Sequence, residues 1–136
     1  TIFATSDIIV MSAAVADYAP KNIATEKIKK NESEFTIELV KNKDILKQMG
    51  AEKSNQFLVG FALETQNEEE NAKGKLEKKN LDMIVLNSLR DAGAGFQKDT
   101  NKVKILTKSE QLEFDLKSKD AVANDILDFI EKKLGL

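Results

Sequence analysis

Three short apolar runs constrain the fold of this chain more than any other feature. They occupy residues 7–11, 57–62 and 83–86, and each is bounded by polar or small residues. Continuous apolar runs of this length are typical of strands buried on both faces of a parallel sheet. Because helical patterns alternate with these runs, the sequence predicts an α/β fold: a Rossmann-like, mostly parallel sheet with helices on both faces.

The remaining elements follow from local patterns. Residues 35–39 alternate apolar and polar side chains, which predicts a half-exposed strand. Helices are predicted over 42–49, with Asn42 as N-cap and Gly50 as the stop, over 66–80, and over 119–134. Residues 102–106 and 112–116 predict a C-terminal β-hairpin before the last helix. The stretches 20–34 and 88–102 are predicted loops; the first is polar and lysine-rich, and a loop of that length inside a compact domain is usually a functional lid or disordered. We expect one domain over residues 1–136.

Composition excludes several kinds of chemistry. The chain has no cysteine and no histidine, so it has no disulfides, no thiolate nucleophile and no Ser/His pair, and a zinc site is disfavoured. A net charge of −2, from 21 basic and 23 acidic residues, argues against a nucleic-acid-binding protein. No apolar run approaches the roughly 20 residues that span a membrane. With no export signal in the sequence, we expect a cytoplasmic protein.

Ligands of such sheets bind at the carboxyl ends of the strands. Here these ends are residues 11–14, residues 61–65 and Asn87. The chain lacks the GxxxxGK[ST] phosphate-binding motif, and the close pair Gly93 and Gly95 does not fit a dinucleotide fingerprint. A nucleotide site therefore has to be sought among other residues.

Lysines offer the better indication of a phosphate site. Lys75 and Lys79 are four residues apart on a predicted helix, so they share a face and could meet two oxygens of a polyphosphate; a solvated helix face is the alternative. Lys27 lies with Lys29 and Lys30 in the long predicted loop, which could close as a flap or could simply be a soluble loop. Asp17 could accept a hydrogen bond from a ribose or base, or could cap a turn.

Five motifs, in order, resemble one enzyme family closely. They are AAVADY at 13–18, EKIKK at 26–30, VKNKDI at 40–45, VGFALET at 59–65 and KKNLD at 78–82, the last leading to Asn87. A weaker match to the same family follows at Gly95 and Phe96, with Asp99 and Asn101. Together the motifs resemble phosphopantothenoylcysteine synthetase, the second activity of the bacterial coenzyme A biosynthesis flavoprotein. The resemblance covers roughly residues 9–133.

The resemblance implies a nucleotide-dependent ligase of coenzyme A biosynthesis. Members of the family activate 4′-phosphopantothenate with CTP and Mg²⁺ to an acyl-cytidylate, which L-cysteine then attacks. The resemblance also implies a homodimer and a fused or associated decarboxylase domain, with no flavin in this portion. ATP in place of CTP stays open at this point.

The same resemblance assigns roles to individual residues. The strand-end residues Met11, Ser12 and Ala13 would contact the nucleotide through their backbone, and Asp17 would bind its cytidine end. Lys27 would act in catalysis from the flap, by neutralising the acyl phosphate. Four consecutive residues would line the nucleotide pocket beside Phe61: Asn42, Lys43, Asp44 and Ile45. Lys75 and Lys79 would hold phosphates. No metal ligand is implied.

Two departures from the family pattern limit these expectations. Lys43 stands where the family usually has proline. The family's glycine-rich segment, and an asparagine that handles the acyl-cytidylate, would lie upstream of the first strand and are absent from these residues. We therefore expect the chain to be the C-terminal portion of a synthetase domain and, alone, to be inactive. The alternatives are a non-catalytic nucleotide-binding regulator and a subunit-interaction module.

Overall fold

A five-stranded sheet forms the centre of the computed structural model, which describes residues 2–29, 34–88 and 98–136. After a 3₁₀ turn over Ile2–Thr5, the sheet strands in chain order are β1 (Ile8–Met11), β4 (Phe57–Glu64), β5 (Met83–Ser88), β7 (Val103–Leu106) and β8 (Gln111–Glu113). Their spatial order is β1-β4-β5-β7-β8. The pairs β1–β4 and β4–β5 are parallel, and β7 and β8 add an antiparallel edge. This arrangement confirms the predicted α/β class.

In the described part of the chain, three helices cover the two faces of this sheet: α1 (Ile45–Glu52), α2 (Glu68–Lys78) and α3 (Lys119–Leu134). Alternate residues of each strand point to opposite faces. Val59 and Val85 therefore join a core cluster with α3, whereas Leu58 and Ile84 join a second cluster with α2. Leu46 and Met49 of α1 pack against that second cluster. Helices on both faces were predicted and are present.

β1 is less buried than its apolar sequence predicts. Ile8 and Val10 are 36% and 42% exposed, while Ile9, on the opposite face, packs against the α2 cluster. The reason is position: β1 is an edge strand, and among the described residues the buried strand members of the cluster that includes α3 come from β4, β5 and β7. The prediction of a strand buried on both faces is therefore wrong for β1 and right for β4 and β5.

A two-stranded antiparallel ribbon stands apart from the main sheet. It pairs β2 (Tyr18–Pro20) with β3 (Leu39–Lys41), so that Tyr18 lies opposite Lys41. The strand predicted over 35–39 is thus displaced toward the C-terminus. The displacement has a tertiary cause, because β3 is fixed by its partner β2 and by the hydrogen bond from Asn42 N–H to the Asp17 carbonyl. A smaller ribbon pairs β6 (Thr100–Asn101) with β9 (Lys117–Ser118).

The helices depart from the predictions mainly at their ends. α3 has the predicted bounds and ends at Gly135, which has a positive φ of 70°. α2 is shorter than predicted at both ends. α1 begins after Asp44, whose side chain accepts from Lys47 N–H, and it continues through Gly50 to Glu52. Asn42 as N-cap and Gly50 as stop are therefore corrected.

Some predictions fall outside the described residues. These are most of the loop over 88–102, together with Lys30, Gly95 and Phe96. The predicted C-terminal hairpin is present as β7 and β8. Within the described ranges, no helix is both long enough and apolar enough to cross a membrane.

Candidate functional site

A cavity of about 400 Å³ opens beside the carboxyl ends of β1 and β4. Its walls come from the end of β1 and the segment after it, the ribbon strands β2 and β3, the start of α1, β4 and the end of α2. The residues that line it are Met11, Ala13, Ala14, Val15, Ala16, Asp17, Tyr18, Lys41, Asn42, Lys43, Asp44, Ile45, Leu46, Phe61 and Lys79. Nine of the twelve residues predicted for the nucleotide site are among them.

The segment between β1 and β2 is fastened by Asn42. Its backbone N–H donates to the Asp17 carbonyl at 2.8 Å, and its side-chain Nδ2 donates to the Ala16 carbonyl at 2.8 Å. Because a carbonyl oxygen only accepts, the amide orientation of Asn42 is determined. Residues 13–17 have no helical or strand pairing of their own. Asn42 therefore holds in place the backbone that forms one wall of the cavity.

The start of α1 presents a charge pair to the cavity. Lys79 Nζ lies 3.0 Å from Asp44 Oδ2 and 3.2 Å from Oδ1. Burial raises the pKa of Asp44, but the hydrogen bond from Lys47 N–H and the ammonium of Lys79 outweigh it, so that the pKa lies below its ordinary value. Asp44 is thus ionised at neutral pH, and it fixes the position of the Lys79 ammonium at the cavity.

The cavity combines cations with a helix terminus. Lys41, Lys43 and Lys79 line it, against the carboxylates of Asp17 and Asp44. The first turn of α1 adds backbone N–H groups and the positive end of the helix dipole. An anionic group could therefore be bound here, while apolar side chains such as Phe61 and Ile45 offer surface to a flat ring.

Lys75 does not reach this cavity. Its Nζ lies 2.6 Å from Glu64 Oε1, and Glu64 Oε2 accepts from Asn71 Nδ2 at 3.2 Å. These three residues line a second cavity of about 560 Å³. Lys75 and Lys79 were predicted to serve one polyphosphate, but in this structure each is paired with a different carboxylate and lines a different cavity.

Two further predicted residues lie outside the main cavity. Ser12 is exposed and is not among the lining residues, although Met11 and Ala13 on either side of it are. Lys27 is exposed in residues 21–29, which contain no helix or strand. Its predicted role as a flap residue requires a closure of this stretch over the cavity.

Several lining residues had no role predicted from the sequence. Tyr18 and Lys41 face each other across the ribbon and both contribute to the cavity wall. Tyr18 belongs to the motif at 13–18 and Lys41 to the motif at 40–45. Membership in these motifs was the sequence signal that could have identified them as site residues. Among the described residues, no group of three or more carboxylates, histidines or cysteines is arranged to hold a metal ion.

Comparison with known proteins identifies the family. The profile of the DNA/pantothenate metabolism flavoprotein C-terminal domain matches residues 1–134. A cysteine/cysteine sulfinic acid decarboxylase from an unknown prokaryotic organism is 50% identical over 127 residues, which are 92% of this chain and 35% of that protein. The coenzyme A biosynthesis bifunctional protein CoaBC of Bacillus subtilis (strain 168) is 45% identical over 128 residues, 93% of this chain and 32% of that protein.

Solved structures agree with these sequence relatives. The crystal structure of a CoaBC C-terminal domain superimposes with a TM-score of 0.76 at 39% identity, covering 98% of this chain and 60% of that one. The chain spans about a third of the length of the curated relatives it matches. The resemblance drawn from the motifs is confirmed, and the chain belongs to the family of DNA/pantothenate metabolism flavoprotein C-terminal domains.

Proposed function

We propose that this chain forms the nucleotide-binding portion of a phosphopantothenate–cysteine ligase that uses CTP in coenzyme A biosynthesis. The observation that supports this most is the cavity at the strand ends, which gathers nine residues that the family resemblance assigns to nucleotide binding. The relationship to CoaBC proteins supports the pathway. The specific substrates, CTP, 4′-phosphopantothenate and L-cysteine, are part of the proposal.

Charge explains how the cavity would bind a nucleoside triphosphate. Lys79 uses part of its donor capacity on Asp44, and an ammonium group has three donors. A phosphate oxygen can take a remaining donor without breaking the pair. Lys43 and the N-terminal N–H groups of α1 would add further contacts, because helix N-termini favour anions. Asp17 would accept a hydrogen bond from the cytidine.

The reaction would proceed in two displacements. The carboxylate of 4′-phosphopantothenate attacks the α-phosphorus of CTP and pyrophosphate leaves; the amine of cysteine then attacks the acyl carbon, loses a proton, and CMP leaves. Preorganised positive charge is commonly the largest catalytic contribution in such transfers. Lys79 would bind phosphate oxygens, whereas Lys27 would neutralise the acyl phosphate after closure of its loop. Lys75 would have to exchange Glu64 for a phosphate oxygen.

Magnesium would enter with the triphosphate. Mg²⁺ is commonly held by one or two carboxylates together with substrate phosphates. Since Asp17 is assigned to the cytidine, Asp44, which lies beside Lys79 in the cavity, would be the carboxylate near the phosphates. The described residues hold no larger carboxylate group, which fits an ion carried mainly by phosphate oxygens. When bound, it would neutralise charge on the phosphates.

The proposal extends to the setting of the protein. We assign no flavin to this portion, and we expect a decarboxylase domain that is fused or associated, because the CoaBC relatives are described as bifunctional. We also propose a cytoplasmic homodimer as the working form. These assignments rest on the family and not on the cavity.

Calorimetric titration of the protein with CTP and with ATP, in the presence of Mg²⁺, tests the nucleotide assignment. We expect binding of CTP, weaker binding of ATP, and a loss of about tenfold or more in CTP affinity for Lys79→Ala, because one charged contact is removed. Lys132→Ala, an exposed lysine in the last turn of α3, is the control. Lys75→Ala in parallel reports whether Lys75 leaves Glu64 to bind phosphate.

The outcomes separate the competing functions. Absence of CTP and ATP binding, in a protein shown to be folded, would contradict the nucleotide assignment. If CTP binds, Lys27→Ala in the full-length protein distinguishes an enzyme from a regulator: an enzyme loses turnover while its CTP affinity is largely kept. Unchanged turnover in Lys27→Ala would remove the catalytic role of the flap.

A further inference from the structure

Lys79 contacts both ends of the short helix α1. Its backbone carbonyl lies against Gly50 in the last turn of α1, so close that a Cβ added to Gly50 would sit 1.8 Å from that oxygen. Its ammonium group meets Asp44, the N-cap of the same helix. Gly50 and Asp44 are six residues apart, which corresponds to about 9 Å along a helix. The four-carbon side chain of Lys79 therefore runs along α1 toward the cavity.

The contact between Gly50 and Lys79 is reinforced by Asn80. Asn80 Nδ2 donates to the Gly50 carbonyl at 2.9 Å. Asn80 also has a left-handed backbone conformation, with φ of 49°, and it directly follows Lys79, the C-cap residue of α2. Asparagine tolerates this conformation better than most residues. The end of α2 is thus bound to the end of α1 by a close backbone approach and by a side-chain hydrogen bond.

We propose that Gly50 and Asn80 are positioning residues that hold Lys79 along α1, so that its ammonium reaches the anionic part of the ligand in the cavity. This inference rests on the proposed function, in which Lys79 binds a phosphate of CTP. Gly50 allows the backbone of Lys79 to approach, and Asn80 fixes the distance between the helices. Neither residue lines the cavity, so each acts only through Lys79.

A double-mutant cycle on CTP affinity tests the proposal in the full-length protein. Asn80→Gly removes the hydrogen bond to Gly50 while glycine keeps the left-handed backbone without strain. We expect it to weaken CTP binding by roughly three- to tenfold, less than Lys79→Ala does. In the Lys79→Ala background, Asn80→Gly should cause no further loss. A purely structural role would weaken binding equally in both backgrounds.

Asn67→Gly is the matched control. Asn67 is also left-handed, with φ of 46°, and stands at the other end of α2 without a side-chain capping hydrogen bond. We expect its CTP affinity to stay within twofold of the wild type. Gly50→Ala should reduce CTP affinity more than Asn80→Gly, and where its backbone clash prevents folding, as judged by thermal unfolding, the Asn80 cycle decides alone.

The results distinguish a failure of the positioning role of Gly50 and Asn80 from a failure of the proposed CTP binding by Lys79. If Lys79→Ala leaves CTP affinity unchanged, Lys79 does not bind phosphate, and the positioning role of Gly50 and Asn80 is overturned as well. If Lys79→Ala weakens binding but Asn80→Gly has no effect, or has the same effect with and without Lys79, the function stands and the positioning role is overturned.

Discussion

At the scale of single residues, Asn42 connects two distant segments of the chain. Its side chain donates to Ala16, which lies 26 residues away, and its backbone donates to Asp17. The first bond depends on the amide side chain, whereas the second survives any substitution other than proline. The two contributions can therefore be separated by mutation.

We predict that Asn42→Ala lowers the stability of the protein by about 1 kcal/mol, the net contribution of one hydrogen bond, and weakens CTP binding several-fold. The loss of affinity follows because residues 13–17 are released from their fixed position at the cavity. Chemical denaturation gives the first quantity and calorimetry the second.

Asn42→Asp sharpens this test, because a carboxylate has the same shape but cannot donate to the Ala16 carbonyl. It should be at least as damaging as alanine. Asn124→Ala, at an exposed position of α3, serves as the control. Normal CTP affinity in both Asn42 variants would show that the side-chain bond to Ala16 does not organise the cavity.

The limits of sequence reasoning are visible at Asn42 and Asp44. Both are good N-cap residues, so the pattern alone could not decide which one begins α1. The structure uses Asp44 for the cap and Asn42 for a contact 26 residues away. The motif resemblance placed both residues at the site, because it assigns roles by position in the family pattern. N-cap preference depends only on neighbouring residues, so it gives no information about an acceptor in another segment.

At the scale of elements, Lys104 links three of them. Its Nζ on β7 lies 2.8 Å from Glu69 of α2 and 3.4 Å from Glu113 of β8. The hydrogen bond with Glu69 is the main cause of the raised pKa of Lys104 and of the lowered pKa of Glu69. The pKa of Glu113 is lowered mainly by its hydrogen bond with Lys102, and also by Lys104.

We predict that Lys104→Met lowers the free energy of unfolding by about 0.5–1 kcal/mol at pH 7, a value limited by the partial exposure of these groups. Lowered carboxylate pKa values give stability that is lost as the pH falls through the folded-state pKa. A raised lysine pKa gives stability that is lost only as the pH rises through its own folded-state pKa. The difference from wild type should therefore be present from about pH 5 to about pH 10 and shrink below about pH 4.

Urea denaturation at pH 7 and in acid measures this difference. Lys108→Met, which changes an exposed lysine in the turn between β7 and β8, is the control and should differ little from wild type at either pH. A Lys104→Met effect that is the same size in acid would point to lost packing of the lysine stem and would contradict the electrostatic account.

Element types were predictable here, while their partners were not. The apolar runs that became β4 and β5, and the 119–134 pattern that became α3, carry a strong local signal. The helix pattern likewise placed Lys75 and Lys79 one turn apart. Which carboxylate each lysine meets, Glu64 or Asp44, depends on how α2 lies against β4 and α1, and no periodicity within α2 contains that information.

At the scale of the whole molecule, buried contacts are unevenly distributed. The buried residues of the two core clusters come mainly from β4, β5 and β7 together with α2 and α3, and they include fully buried Leu58, Val85 and Ile105. The ribbon of β2 and β3 has no buried residue, and it joins only three residue pairs. Yet Tyr18 and Lys41 of this ribbon line the cavity. The site is thus built between the most and the least buried parts of the fold.

We predict that hydrogen exchange divides the molecule accordingly. Amides of β4 and β5 should exchange slowest, because opening them requires disrupting both clusters, and amides of the β2–β3 ribbon should exchange fastest among the strands. Saturating CTP with Mg²⁺ should slow exchange in the ribbon, since the ligand would contact Tyr18 and Lys41 and so raise the free energy of local opening. Exchange in β7 and β8, which do not line the cavity, should not change.

Mass-spectrometric exchange with and without CTP measures all three regions together. Slowing confined to β7 and β8, or a ribbon unaffected at saturating CTP, would place the nucleotide elsewhere on the molecule.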